Sequence, residues 1–131
     1  MNRQRLRVEG GFTLVEILVV IAILGVLAAI AITQFSAYQK RSLVSQVQSD
    51  LKNAATAEEA YFTANQLYVA CDPCTDATLR GFIATPDVKV KAEITAPQSF
   101  RLTGSHTGCG ADVWTYETST GQITDDGTPC Q

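Results

Sequence analysis

The sequence predicts an α+β fold: one long N-terminal α-helix, with a hydrophobic half and an amphipathic half, packed on a small antiparallel sheet of three to four strands. Three observations carry this. An apolar run with a single charge, Glu16, spans Phe12 to Ile32, an apolar repeat of helical period continues from it to Phe62, and the period changes from 3.6 to 2 after Asp87. No Pro or Gly interrupts Val26 through Val69, so nothing in that stretch breaks a helix.

The chain opens with a basic leader, Met1 to Gly11, in which Arg3, Arg5 and Arg7 stand against Glu9. Positive charge directly before an apolar run holds that end in the cytoplasm and sends the rest of the chain outward. The twenty-one residues from Phe12 to Ile32 form, as a helix, a rod of roughly 30 Å, the thickness of a bilayer's hydrocarbon core. An ordinary secretory signal is the competing reading, with a small-residue triplet at Ala29-Ile30-Ala31. Against it stand the length of the run and the carboxylate inside it. That carboxylate, Glu16, has no Lys, Arg or His between Phe12 and Gln39 to pair with. A charge within the apolar layer costs several kcal/mol unless partnered, which marks it as functional and points to a new N-terminus or another molecule as partner. Small residues Ala22, Gly25, Ala29, Thr33 and Ser36 recur at spacings of 3, 4, 4 and 3, tracing one stripe along which helices in lipid approach closely. Leu18, Ile21, Leu24 and Ile32 fill other faces.

Leader, glycine, aromatic residue, glutamate and apolar run in this register, G-F-T-L-V-E followed by hydrophobics, resemble the prepilin motif of type IV pilins and the related pseudopilins. The match covers about the first fifty residues. The resemblance implies cleavage by a prepilin peptidase between Gly11 and Phe12, N-methylation of Phe12, and a role for Glu16 in neutralising the N-terminal amine of a neighbouring subunit during filament growth. It also implies a homo-oligomeric helical filament, an inner-membrane precursor that reaches the cell surface as a pilus, and an assembly machinery as partner. Ala22, Gly25 and Ala29 are then the helix-packing positions. One departure stands out. Many type IV pilins carry a proline about two turns after the helix glycine, where this chain has Thr33. Gly25 remains a weak point, costing about 1 kcal/mol relative to Ala.

Beyond the apolar run, Val44, Val47, Leu51, Ala55 and Phe62 follow spacings of 3, 4, 4 and 7, one face of an amphipathic helix, and Gln39, Ser42, Gln46, Ser49 and Asn53 take the opposite face. The helix is expected to run from Phe12 to Ala64 with Asn65 at C′, a stalk whose second half is covered by a head. The domain reading follows: residues 1–11 a removable leader, 12–34 the membrane or filament-core half-helix, 35–131 the head.

Gln66 to Asp87 connects helix and sheet and contains Cys71-Asp72-Pro73-Cys74. A redox C-x-x-C wants a βαβ context, and zinc wants a second close pair, whereas Cys109 and Cys130 lie twenty-one apart. A local disulfide fits best in a chain whose bulk lies outside the cytoplasm. Val88, Val90, Ala92 and Ile94 then alternate with polar residues in a first strand, Ala96-Pro97-Gln98 turn, and Phe100 and Leu102 mark a second. Gly104 to Gly110 reads as a loop, Asp112 to Thr118 as a third strand, and the surroundings of Ile123 as a fourth. Many pilins have a disulfide-bounded C-terminal loop, so the resemblance favours Cys109 with Cys130 and Cys71 with Cys74, with crossed pairings still open. Asp125 and Asp126 adjoin Gly127, where a solvated turn competes with the calcium-binding loops of related pseudopilins.

Composition narrows the function classes. The 131 residues are 46% hydrophobic and 18% charged, with a net charge of −3. Removing three arginines and one glutamate with the leader leaves seven basic and twelve acidic residues, −5, which gives no footprint for nucleic acid. His106 is the only histidine and lacks a nucleophile or acid partner at a recognisable spacing, so neither catalysis, cofactor nor metal is expected. Trp114 and Tyr116 share one strand face and suit packing. Phe12, Phe35, Tyr38, Tyr61 and Phe62 along the helix suit contacts better than electron transport. The expected function is that of a filament subunit, most simply a major type IV pilin, with a type II secretion pseudopilin or a minor pilin as the alternative.

Overall fold

The computed structural model describes residues 11–110, 112–125 and 130, and shows the expected α+β architecture. Helix α1 runs Leu14–Asn65 and is followed by strands β1 (Val88–Ala96), β2 (Ser99–His106), β3 (Trp114–Glu117) and β4 (Gln122–Asp125) in one antiparallel sheet of order β1-β2-β3-β4. Met1 to Gly10, Ala111, Asp126 to Pro129 and Gln131 lie outside the described residues, and with them most of the expected leader and the expected turn before Cys130. The chain divides into two compact units, ending and beginning at Ser36 and Ala37.

In the first unit α1 is helical throughout and every described side chain is exposed. The second unit has a core. The apolar stripe of α1 is buried at Val47, Leu51, Ala54 and Ala55, while Gln39, Ser42, Ser49 and Asn53 face solvent and Gln46 is half-buried. Alternation in the sheet supplies the other wall: Val88, Val90 and Ala92 of β1, Phe100 and Leu102 of β2, and Trp114 of β3 point inward. Ile94 departs from that alternation. It lies beside an irregularity in the β1–β2 register between Ile94 and Ala96, and is 42% exposed.

Several boundaries differ from the sequence reading, beginning with the helix start at Leu14 in place of Phe12. Asn65 is the last helical residue, and Gln66, at φ 58°, takes the left-handed position that ends the helix, with its N–H donating to Phe62 O at 2.7 Å. The stretch read as a loop from Gly104 is strand through His106, paired to Val88–Val90 on one side and, at Gly104, to Trp114 on the other. Gly104 serves close approach, not a turn. A Cβ there would lie 2.8 Å from Val47 Cγ1 and 3.1 Å from Leu51 Cδ2, so only glycine lets β2 sit this near α1. The third strand is also shorter than expected, Trp114–Glu117.

The connecting segment is pinned to both layers. Its Cys71 N–H and C=O exchange hydrogen bonds with Ala92 of β1 at 3.2 and 2.9 Å, and Cys74 N–H donates to Val90 O at 2.7 Å. Two acids on the buried face of α1 hold it from the other side. Asp50 accepts from Thr85 N–H at 2.6 Å and from Thr85 Oγ1 at 3.0 Å, and Glu58 Oε2 accepts from Val69 N–H at 3.0 Å. Phe62, Tyr68, Phe100 and Tyr116 then form a continuous aromatic run, with ring centroids 4.6, 4.7 and 6.0 Å apart.

Glu58 is fully buried, and its Oε1 has no hydrogen-bond partner among the described residues. Burial pushes its carboxyl above the ordinary 4.5; the Val69 N–H opposes this, and the neighbouring charge of Glu59 adds to the rise. The folded state therefore holds this proton more tightly than the unfolded chain. That contribution to stability is complete below the ordinary carboxyl range and is lost as pH rises through the folded value. Glu58→Gln should accordingly gain stability relative to wild type as pH rises from about 4 to about 7, read by urea unfolding of the full chain in uncharged detergent. Gly104→Ala should cost about 1–3 kcal/mol in the same assay, because Val47 and Leu51 must move to admit the methyl group.

Candidate functional site

The N-terminal end of α1 gathers the residues the sequence singles out. Gly11, Phe12 and Thr13 precede the helix in non-helical conformation, and Phe12 is 84% exposed. Thr13 and Glu16 form a reciprocal capping box. Glu16 N–H donates to Thr13 Oγ1 at 3.2 Å, while Glu16 Oε2 accepts from Thr13 N–H at 2.8 Å and from Thr13 Oγ1–H at 2.7 Å. The box thus satisfies two backbone donors at the helix start, Thr13 N–H through the carboxylate and Glu16 N–H through the hydroxyl, and the carboxylate lies at the positive end of the helix dipole.

Thr13 was missed by the sequence reading, although the signal was present: T-x-x-E over Thr13 to Glu16, just before an apolar run, is the capping-box signature. Its consequence is positional. A glutamate in solution samples many rotamers, but here two hydrogen bonds hold Oε2 against Thr13, the residue directly after Phe12. A cation arriving at this end meets a carboxylate already oriented.

Further along the same unit, Ala22, Gly25 and Ala29 are exposed, and a Cβ placed on Gly25 would meet nothing within 4 Å. Nothing inside the chain therefore needs glycine there. Thr33 turns its hydroxyl back to Ile30 O at 2.9 Å, so the helix continues through the position where a proline would have interrupted it. Leu14, Val15, Ile17, Leu18 and Ile21 begin a wholly exposed apolar surface that continues to Phe35, far more than a monomer in water leaves uncovered.

The remaining candidates lie in the second unit and share no site with Glu16. Cys71 is bonded to Cys74 and Cys109 to Cys130. His106 is buried, and its Nδ1 accepts from Gly108 N–H at 2.9 Å, which assigns the imidazole to the turn that carries Cys109. Trp114 is buried and Tyr116 half-buried, stacked on Phe100. Asp125 ends β4; Asp126, with which it was paired as a calcium candidate, is outside the described residues. Among the described residues no three His, Cys, Asp or Glu side chains gather as metal ligands would.

The 109–130 disulfide closes a loop containing β3 and β4. In the chain-entropy account a loop of this size is worth about 3 kcal/mol. Replacing both cysteines by serine should lower urea stability by that order and free β4 first, which hydrogen exchange of Gln122 to Asp125 would register.

Comparison with known proteins places the same stretch in context. The prokaryotic N-terminal methylation motif matches residues 6–32. The type IV major pilin protein PilA of Myxococcus xanthus is 45% identical over 58 residues, 44% of this chain and 26% of that protein. The type IV major fimbrial protein FimA of Dichelobacter nodosus is 51% identical over 51 residues, 39% of this chain and 33% of the relative. The type II secretion system core protein G of Pseudomonas aeruginosa is 35% identical over 80 residues, 61% and 54% of the two chains. The chain thus spans about a quarter to a third of the length of the two pilins.

Proposed function

We propose, from the likeness of its N-terminal stretch to type IV pilins and pseudopilins, that the chain is a member of that family and the major subunit of a type IV pilus. The observation that carries this reading is the first unit itself: an apolar helix, exposed throughout, with one charge and one stripe of small residues. Such a surface needs a bilayer before assembly and copies of itself afterwards.

In this proposal a prepilin peptidase cuts between Gly11 and Phe12 and the new terminus is methylated. The amine of Phe12 is then a cation, and Glu16, the only acid between Phe12 and Gln39, is the only charge the apolar layer offers to a neighbour's amine. Assembly proceeds by satisfying each buried Glu16 with the amine of another subunit, while the stripe through Ala22, Gly25 and Ala29 lets the helices pack closely. The pairing also sets register, because a subunit displaced along the axis leaves a carboxylate and an amine unpaired in a low-dielectric core. The precursor resides in the inner membrane and the product at the cell surface.

A second reading, a type II secretion pseudopilin, draws on the match to core protein G over 61% of this chain, while the type IV major alpha-pilin of Moraxella bovis, 30% identical, matches over 79% of it. The Cys109–Cys130 loop favours the pilus instead, since a covalently closed loop suits an exposed filament surface. Protein sheared from the cell surface separates the two: abundant filaments whose subunits start at N-methyl-Phe12 are expected of a pilin, and their absence with intact secretion-dependent phenotypes is expected of a pseudopilin. Glu16→Ala should yield a cleaved, membrane-inserted subunit that forms few filaments; normal filament yield from this variant would remove Glu16 from the mechanism.

A further inference from the structure

A cavity of about 320 Å³ lies in the second unit between α1 and the C-terminal part of the sheet. Lys40, Arg41 and Val44 line it from the helix, and Trp114, Asp125 and Cys130 from the other side. Among the described residues its lining combines Val44 and Trp114 with two cations, Lys40 and Arg41, and one acid, Asp125. No ion pair joins Lys40 or Arg41 to an acid among the described residues. We propose that this cavity holds the phosphate headgroup of an anionic phospholipid in the membrane-inserted precursor.

The position on the helix is the main argument, and it rests on the membrane reading of the proposed function. Phe35 and Tyr38 are exposed, by 62% and 72%, directly after the apolar run. Aromatic residues of this kind settle at headgroup depth. Lys40 and Arg41 follow Tyr38 within one turn, a rise of about 3–5 Å, which brings their charges to the phosphates. A lipid is the occupant that this geometry favours, because its glycerol backbone and upper acyl chain suit Val44 and Trp114 while its phosphate suits the cations. Each basic residue close to an anionic surface strengthens binding about five-fold.

Trp114 is the only tryptophan and lines the cavity, so its emission reports occupancy. The full chain would be reconstituted into phosphatidylcholine vesicles with and without phosphatidylglycerol, with flotation as a check on insertion. Trp114 emission should change as phosphatidylglycerol is introduced. The phosphatidylglycerol fraction giving half the change should rise about five-fold in Lys40→Gln or in Arg41→Gln. Inorganic phosphate added to phosphatidylcholine vesicles should leave emission unchanged. Equal emission in both vesicles, a response that survives the double variant, or a response reproduced by inorganic phosphate would overturn the proposal. So would a response that follows the protein-to-lipid ratio instead of lipid composition, since the occupant would then be a second copy. A chain that floats with vesicles while Trp114 stays silent defeats this inference alone. A chain that does not float defeats the membrane reading with it.

Discussion

The second unit depends on how closely β2 is seated on α1. At Gly104 the strand backbone lies so near Val47 and Leu51 that no side chain fits between them. From this contact the rest of the core follows. Phe100 and Leu102 of the same strand reach the helix at alternate positions, Val90 and Ala92 of β1 join them, and Trp114 of β3 closes the far side. The sheet has only four strands, two of them four residues long, so it cannot hold a core by itself. Helix and sheet are stable through each other.

Two acids show how that core is kept in register. Asp50 and Glu58 are buried on the helix face that also carries Val47, Leu51, Ala54 and Ala55. Each accepts from the connecting segment, Asp50 from Thr85 and Glu58 from Val69, so a segment without regular structure is attached to the helix near both of its ends. The Cys71–Cys74 bridge and the exchange with Ala92 attach it to the sheet as well. Burying carboxylates is costly, and the return is positional: a segment bound only by apolar contact could slide, whereas one bound to fixed acceptors cannot.

The same helix meets the hydrophobic effect in two ways. From Val47 onward its apolar stripe is covered by the chain's own second unit, while from Leu14 to Ser36 nothing among the described residues covers it. The capping box at Thr13 and Glu16 gives that uncovered half a defined start and an oriented carboxylate. In the proposed filament this preorganisation lowers the cost of pairing, since one partner of the contact is already fixed. Gly25 and the small residues around it have no intramolecular reason to be small, which is why their explanation has to be sought between chains.

Much of this was legible in the order of residues. The helix, its two halves and the alternation of β1 follow from periodicity, because the 3.6 and 2 repeats reflect local geometry that each segment imposes on itself. The family resemblance likewise rests on adjacent residues, Gly11 to Glu16 and the run after them, and the capping box was readable there too. What only the tertiary structure decided involves residues distant in sequence. Gly104 was read as a loop because a glycine's local meaning is a turn, and its actual reason is a helix more than fifty residues earlier. Asp50 and Glu58 looked like ordinary helix acids until Thr85 and Val69 were brought to them. Asn65 was taken for the helix stop, but the left-handed position fell on Gln66. Local pattern determines which elements form, and the geometry of close packing decides which atoms meet.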